Sequence, residues 1–355
     1  MMTLLDETLR AIKPPDERAA DTAQRHLDSL TKPLGSLGYL EEIVRRYAAI
    51  RHDRQALTGK HVIAVFVADH GIADEGVSAY PKTVSVEMLR NIASGGAAVS
   101  SLARQFGYTL IVTDTGIAAD TSAEPLPGVR YHRLGAGTTN FLRGPAMSID
   151  QTRRALEIGI EVARESAAAG ATLIGIGEMG IGNSTTAAAL LSSLTGIEPG
   201  RLAGRGTGID DLAFSRKVGV IEAGLNLHRA ARNDAMASLA AFGGFEIAAM
   251  AGVCLGGAAA KVPVVVDGFI ATAAAVAAEQ LSRGLYDHLF FGHRSAEGGY
   301  GLVLERIGVR PILDLDIRLG EGVGAVLAMK VIESALGLFH QMATFASAGV
   351  SERKR

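Results

Sequence analysis

The chain has 355 residues, of which 35 are basic and 37 acidic, for a formal net charge of -2. That length accommodates one large domain, with or without a small satellite. The balanced, scattered charges offer no basic face to a phosphate backbone, so nucleic acid is excluded as an expected partner. The single cysteine, Cys254, lies in the apolar stretch Ala251-Gly252-Val253-Cys254-Leu255-Gly256, which excludes a disulfide framework and a multi-cysteine metal site and leaves a packed core thiol.

The first residues, Met1-Met2-Thr3-Leu4-Leu5-Asp6-Glu7, carry acids where a signal peptide carries positive charge, so the cytoplasm is the expected location. Helical spacing predicts helices over 4–12, 15–30 and 38–50, the last two separated by the Pro/Gly-punctuated loop Thr31-Lys32-Pro33-Leu34-Gly35-Ser36-Leu37-Gly38. From residue 61 onward, short β-branched runs alternate with Ala-rich helical stretches. Strands are predicted at 61–67, 109–112, 172–175, 262–266, 288–291 and 312–315, most followed by Gly or Asp and then a helix. The expected fold is α/β: a doubly wound, mainly parallel sheet with helices on both faces. The most membrane-like region, 235–260, is split by Glu246 and rich in Ala and Gly, as expected of buried helices rather than a membrane span. A last helix over about 324–345 returns toward the start of the chain. A small helical subdomain (1–59 with 331–355) beside a large catalytic domain (60–330) is therefore expected.

In open parallel sheets ligands collect beyond the carboxyl ends of the strands. After the strand at 172 comes Gly175-Ile176-Gly177-Glu178-Met179-Gly180-Ile181-Gly182-Asn183-Ser184-Thr185-Thr186, entering a helix. Backbone amides at such a junction favour a phosphate. Gly175, Gly177 and Gly180 fit a dinucleotide fingerprint, and 177–184 fits a nucleoside-triphosphate loop in which Asn183 replaces the lysine. The same residues also suit a cradle for a phosphate monoester, or a loop that is glycine-rich only for packing. Gly204-Arg205-Gly206-Thr207-Gly208 precedes a helix carrying Lys217, either a phosphate-binding cation or a solvated charge. Asp267, before Gly268-Phe269, is either a helix cap or a ligand for ribose hydroxyls.

Two glutamates are enclosed by glycines at strand ends: Glu178, and Glu321 in Arg318-Leu319-Gly320-Glu321-Gly322-Val323-Gly324. A partly desolvated carboxyl in such a turn has a raised pKa and can accept a proton from a weakly acidic N–H, or it can simply cap nearby amides. His70 and His293 have no second ligand at metal spacing, and no G-x-S-x-G is present for acyl-enzyme chemistry. The glycine loops alone permit a nucleotide-binding regulatory module or a nicotinamide-dependent dehydrogenase as well as a transferase.

Taken together in order, Asp28-Ser29-Leu30-Thr31-Lys32-Pro33-Leu34-Gly35-Ser36-Leu37-Gly38, Ala68-Asp69-His70-Gly71, Glu75-Gly76-Val77-Ser78-Ala79-Tyr80-Pro81, the two glycine segments, Asp267-Gly268-Phe269, Gly292-His293-Arg294-Ser295 and Arg318-Leu319-Gly320-Glu321-Gly322 resemble the nicotinate-nucleotide:dimethylbenzimidazole phosphoribosyltransferases across nearly the whole chain. That resemblance implies a homodimer acting on nicotinate mononucleotide and a benzimidazole-type base in the cobalamin nucleotide-loop pathway, with no metal or redox cofactor. It implies Glu321 as general base and Glu178 as a second acid. Gly180, Gly182, Asn183, Ser184, Lys217, Asp267, Gly268 and Ser295 fall where the family holds phosphate and ribose. Ser78, Glu87, Met88 and Leu319 fall where it holds the base. The family commonly has a glutamine near position 87, whereas Glu87 when ionised accepts but cannot donate a hydrogen bond, which leaves the identity of the accepted base open.

Overall fold

The computed structural model describes residues 2–119, 121, 125–206 and 208–351; Thr207 of the second glycine segment and residues 352–355 of the last predicted segment lie outside them. Three helices come first, α1 (Leu4–Ala11), α2 (Glu17–Ser29) and α3 (Tyr39–Arg51), followed by β1 (Lys60–Ala68), α4 (Thr83–Ala93), α5 (Ala98–Phe106), β2 (Thr109–Gly116) and β3 (Val129–Tyr131). The chain continues through α6 (Ile149–Ala168), β4 (Ala171–Met179), α7 (Asn183–Thr195), α8 (Pro199–Leu202), α9 (Asp211–Leu227), α10 (Ala235–Phe242) and α11 (Phe245–Ala259). It ends with β5 (Val264–Val266), α12 (Phe269–Leu281), β6 (Leu289–His293), α13 (Tyr300–Ile307), β7 (Pro311–Leu313), α14 (Val323–Gln341) and α15 (Phe345–Ala348).

The seven strands form one parallel sheet in the order β3-β2-β1-β4-β5-β6-β7. The two sides of β1 show why its apolar run is continuous. Val62, Ala64 and Phe66 enter the core shared with α6, α7, α11 and α12, while Ile63, Val65 and Val67 enter the core shared with α3, α5 and α14. Strands covered on both faces need apolar residues at every position. The region 235–260 becomes α10 and α11, and every residue of α11 except the last is buried. Cys254 is buried there too, and burial pushes its thiol up to about 12, as befits a packed thiol. Among the described residues one helix, α14, is long and apolar enough to cross a bilayer; here its apolar side packs on α3, α5 and the sheet.

The chain ends meet. Leu30 and Thr344 form an antiparallel bridge, and α3 packs on α14. A helical unit over 1–59 with 331–355 is a proposal drawn from these contacts, but Ile43, Tyr47 and Ile332 share their core with the sheet residues Ile63 and Val65, and α1 packs on α6 and α11. Because β2 and β3 lie on one side of β1 and β4 to β7 on the other, the strand order reverses between β1 and β4. A crevice beyond their carboxyl ends follows from that reversal.

Candidate active site

β4 runs two turns of the pleat further than its sequence indicates. Gly175 and Gly177 lie inside the strand, and Glu178 pairs in register with Phe66. A dinucleotide fingerprint needs those glycines in the loop, so this possibility falls. Gly177 instead admits another backbone: a Cβ there would lie 2.4 Å from the carbonyl of Glu321 and the nitrogen of Gly322. The turn proper is 180–182, with Gly182 in the left-handed region (φ 99°) as the residue preceding α7. Ser85 on α4 accepts the Ile181 N–H at 3.1 Å, which fixes the turn from the other side.

Glu178 and Glu321 are brought together by main chain as well as side chain. The Glu321 N–H donates to the Glu178 carbonyl at 3.0 Å, and Gly320 packs against Glu178 Oε1. Glu321 has φ 67°, a conformation that disfavours a side chain by roughly 1–2 kcal/mol and here directs its carboxyl into a site where the residue is only 5% exposed. Its Oε2 is buried and, among the described residues, has no hydrogen-bond partner. Burial raises its pKa, and the Val99 backbone N–H in the first turn of α5 opposes the rise. The Asn183 amide donates a short hydrogen bond to Glu178 Oε2. Even so, burial first, then the charges of Glu246 and Asp267, hold the Glu178 carboxyl well above the ordinary range. Both acids are thus biased toward their neutral forms, Glu178 the more strongly of the two.

Lys217 on α9 is completely buried. Its Nζ donates to Ser184 Oγ at 3.0 Å and to the Gly204 carbonyl at 2.9 Å, both neutral acceptors. Burial lowers its pKa to about 8, against the attraction of Glu297. A cation so placed, next to the first turn of α7, has the charge and position to hold an anion. Beside it opens a cavity of about 500 Å³ lined by Gly204, Arg205, Gly206, Phe214, Glu297 and Arg318, among others. Ser295 precedes the lining residue Ala296 and lies against Gly268: a Cβ on Gly268 would sit 3.5 Å from Ser295 Cβ, and Ser295 Oγ accepts the Glu297 N–H at 3.2 Å.

Other positions are placed differently from their sequence context. Asp267 caps not the helix that follows it but α14, accepting from Gly322 and Ala325 N–H at 3.2 and 2.9 Å; burial pushes its pKa up to about 7. Its carboxylate is thereby engaged in orienting the turn that carries Glu321. Met88 is half-buried and shares a helical face with Ser85, whereas Glu87 and Leu319 are exposed. Ser78 is half-buried and accepts the Tyr80 N–H at 3.3 Å.

A family model described as a phosphoribosyltransferase matches residues 12–350. Relatives named nicotinate-nucleotide–dimethylbenzimidazole phosphoribosyltransferase include one from Geotalea uraniireducens, 46% identical over 99% of both chains, and one from Chloroflexus aggregans, 47% identical over 99% of both. This chain belongs to that phosphoribosyltransferase family. The crystal structure of the Thermus thermophilus member is 41% identical and superposes with a TM-score of 0.88, covering 95% of this chain and 100% of that one. The parallel α/β fold expected from the sequence is thus the fold of the family.

Two pairings around this crevice escaped the sequence. Glu297 accepts the Gly206 N–H at 2.9 Å and fills the space beside Gly204, and His70 is hydrogen-bonded to Glu246 at 2.7 Å. The signal for Glu246 was present, a lone acid in an otherwise apolar stretch, but its partner lies 176 residues away.

Proposed function

We infer that the chain transfers the phosphoribosyl group of nicotinate mononucleotide to 5,6-dimethylbenzimidazole or a similar base, in the cobalamin nucleotide-loop pathway, with Glu321 as the general base. The observation that carries the assignment of roles is the convergence of three buried groups about the 180–183 turn: Glu178, bonded to Asn183; Glu321, tied to the Glu178 carbonyl and with an Oε2 that has no hydrogen-bond partner among the described residues; and Lys217, bonded to Ser184. One ring nitrogen of the base attacks the ribose C1′ with its lone pair. The bond from C1′ to the pyridinium nitrogen breaks, and its electrons leave with nicotinate. Attack on the face opposite the leaving ring inverts the anomeric centre and gives the α-ribotide. The second ring nitrogen then carries an acidic N–H, whose proton passes to Glu321.

Lys217, Ser184 and the amides of 180–183 hold the phosphate, with Ser295 and Gly268 facing the ribose side and Asp267 fixing the Glu321 turn. Ser78, Met88, Leu319 and Glu87 are assigned to the base side. Since nicotinate leaves a cationic ring as a neutral pyridine nitrogen, little acid assistance is needed, and placing two flat rings about C1′ supplies much of the acceleration. The proposal includes a homodimer and a cytoplasmic location.

The direct test is chromatographic detection of free nicotinate from nicotinate mononucleotide with and without 5,6-dimethylbenzimidazole. Base-dependent release with a matching ribotide is expected; no release with any benzimidazole would overturn the assignment. Glu178→Gln tests the division of labour. Burial and the neighbouring acids favour the neutral form of the Glu178 carboxyl, so the amide preserves that form and its size, and kcat should fall by no more than about tenfold. A loss as large as that of Glu321→Gln in the same steady-state assay would reverse the two roles.

A further inference from the structure

Beneath the 180–183 turn lies a pair of ionisable side chains that the transfer chemistry does not use. His70, just past β1, places Nε2 2.7 Å from Glu246 Oε1 and Nδ1 3.1 Å from Thr186 Oγ1. Both members of the pair are 0% exposed, and Glu246 Oε2 has no hydrogen-bond partner among the described residues. The three residues come from three elements that converge on the crevice: the end of β1, the second turn of α7 and the first turn of α11.

Packing around the pair is close. A Cβ on Gly180 would lie 2.3 Å from the Ala68 carbonyl and 3.2 Å from His70 Nε2, and one on Gly182 would lie 3.3 Å from His70 Cβ. The imidazole is the floor of the turn. On its far side a Cβ on Gly244 would lie 2.4 Å from both His70 Cε1 and Glu246 Oε2, so the ring is held between two glycine backbones with no room to rotate.

Stability alone is a weak reason for such a pair, because apolar side chains of similar volume usually hold a fold at least as well as two desolvated ionisable ones. What apolar residues cannot do is fix a ring in one orientation through hydrogen bonds at both nitrogens. We propose that His70 and Glu246 are positioning residues for the transfer reaction: Glu246 orients the His70 ring, and the ring, through its contact with Gly180 and Gly182, sets the turn that presents its amides and Asn183 to the substrate phosphate and to Glu178. The inference rests on the transferase function above. Glu246 also supplies the largest charge effect on Glu178, so one buried acid influences both ends of the turn.

The test compares His70→Gln, whose amide nitrogen replaces Nε2 and keeps the bond to Glu246, with His70→Asn, whose amide replaces Nδ1 and abandons it. With nicotinate mononucleotide and 5,6-dimethylbenzimidazole as substrates, His70→Asn should raise the KM for the nucleotide about tenfold while the KM for the base stays within about twofold. His70→Gln should remain within about threefold of the natural chain for both. The double variant His70→Leu with Glu246→Leu should match or exceed the natural melting temperature and still show the raised nucleotide KM. Equal behaviour of the Gln and Asn variants, parallel changes in both KM values, or a normal nucleotide KM in the double variant would each overturn the proposal. Failure of the natural chain itself to release nicotinate would instead strike the transferase function.

Discussion

Glu321→Gln is expected to keep the affinity for nicotinate mononucleotide and to lose turnover by about 10²–10⁴, the range for removing a positioned general base. The amide matches the carboxyl in size, so the left-handed turn at 320–322 and the Asp267 bonds that brace it remain. What disappears is the proton acceptor. Calorimetric titration with the nucleotide and steady-state kinetics with the base separate the two effects, and turnover within about tenfold of the natural chain would remove Glu321 from the chemistry. The pH profile supplies an independent check. Burial raises the Glu321 pKa, and only the ionised form accepts a proton, so kcat of the natural chain should fall as pH drops through that raised value. The residual activity of the Gln variant should lack this acid limb, because the amide does not titrate.

Much of the frame on which this chemistry stands was legible in the sequence because it depends on local patterns. Six of the seven strands announce themselves as short apolar runs. The seventh, Val129–Tyr131, is an edge strand of three half-buried residues with an arginine at its centre, and it offers neither an apolar run nor an alternation to detect. The end of β4 was misjudged for a different reason. Glycine normally punctuates a strand, but Gly175 and Gly177 remain within one because Met329 and the Glu321 turn press against them, and that neighbour comes from the far end of the chain.

The same principle divides the site. Glu178 and Glu321 stand out locally, each enclosed by glycines, and the structure joins them through a main-chain hydrogen bond. Asp267 has the sequence context of a cap for α12, yet the orphan N–H groups it satisfies belong to a helix 58 residues downstream. Pairings between distant residues, Glu246 with His70 and Glu297 with Gly206, are consequences of the strand order rather than of any spacing. Residue type told which side chains were out of place in their surroundings; only the fold told what they were placed for.

Lys217→Met should give the largest change in substrate affinity, raising the KM for nicotinate mononucleotide about 10- to 100-fold. This follows from a charge-assisted hydrogen bond contributing about 1.5–3 kcal/mol. Methionine fills nearly the same volume and removes a buried cation that, among the described residues, contacts only the neutral Ser184 and Gly204 oxygens. The free protein should therefore melt no lower than the natural one, since the charge it loses was desolvated without a paired acid. The sign of the pH effect follows from the same burial. With its pKa lowered to about 8, the ammonium loses its proton as pH rises through that value. Because kcat/KM reports groups on the free enzyme, it should decline above about pH 8. Bound phosphate favours the charged ammonium and moves this titration upward in the complex, so kcat should decline later than kcat/KM. In Lys217→Met the limb near pH 8 should vanish from kcat/KM while any change due to Glu178 remains. An unchanged nucleotide KM would place the phosphate elsewhere, whereas a raised KM with the alkaline limb intact would show that another group titrates there.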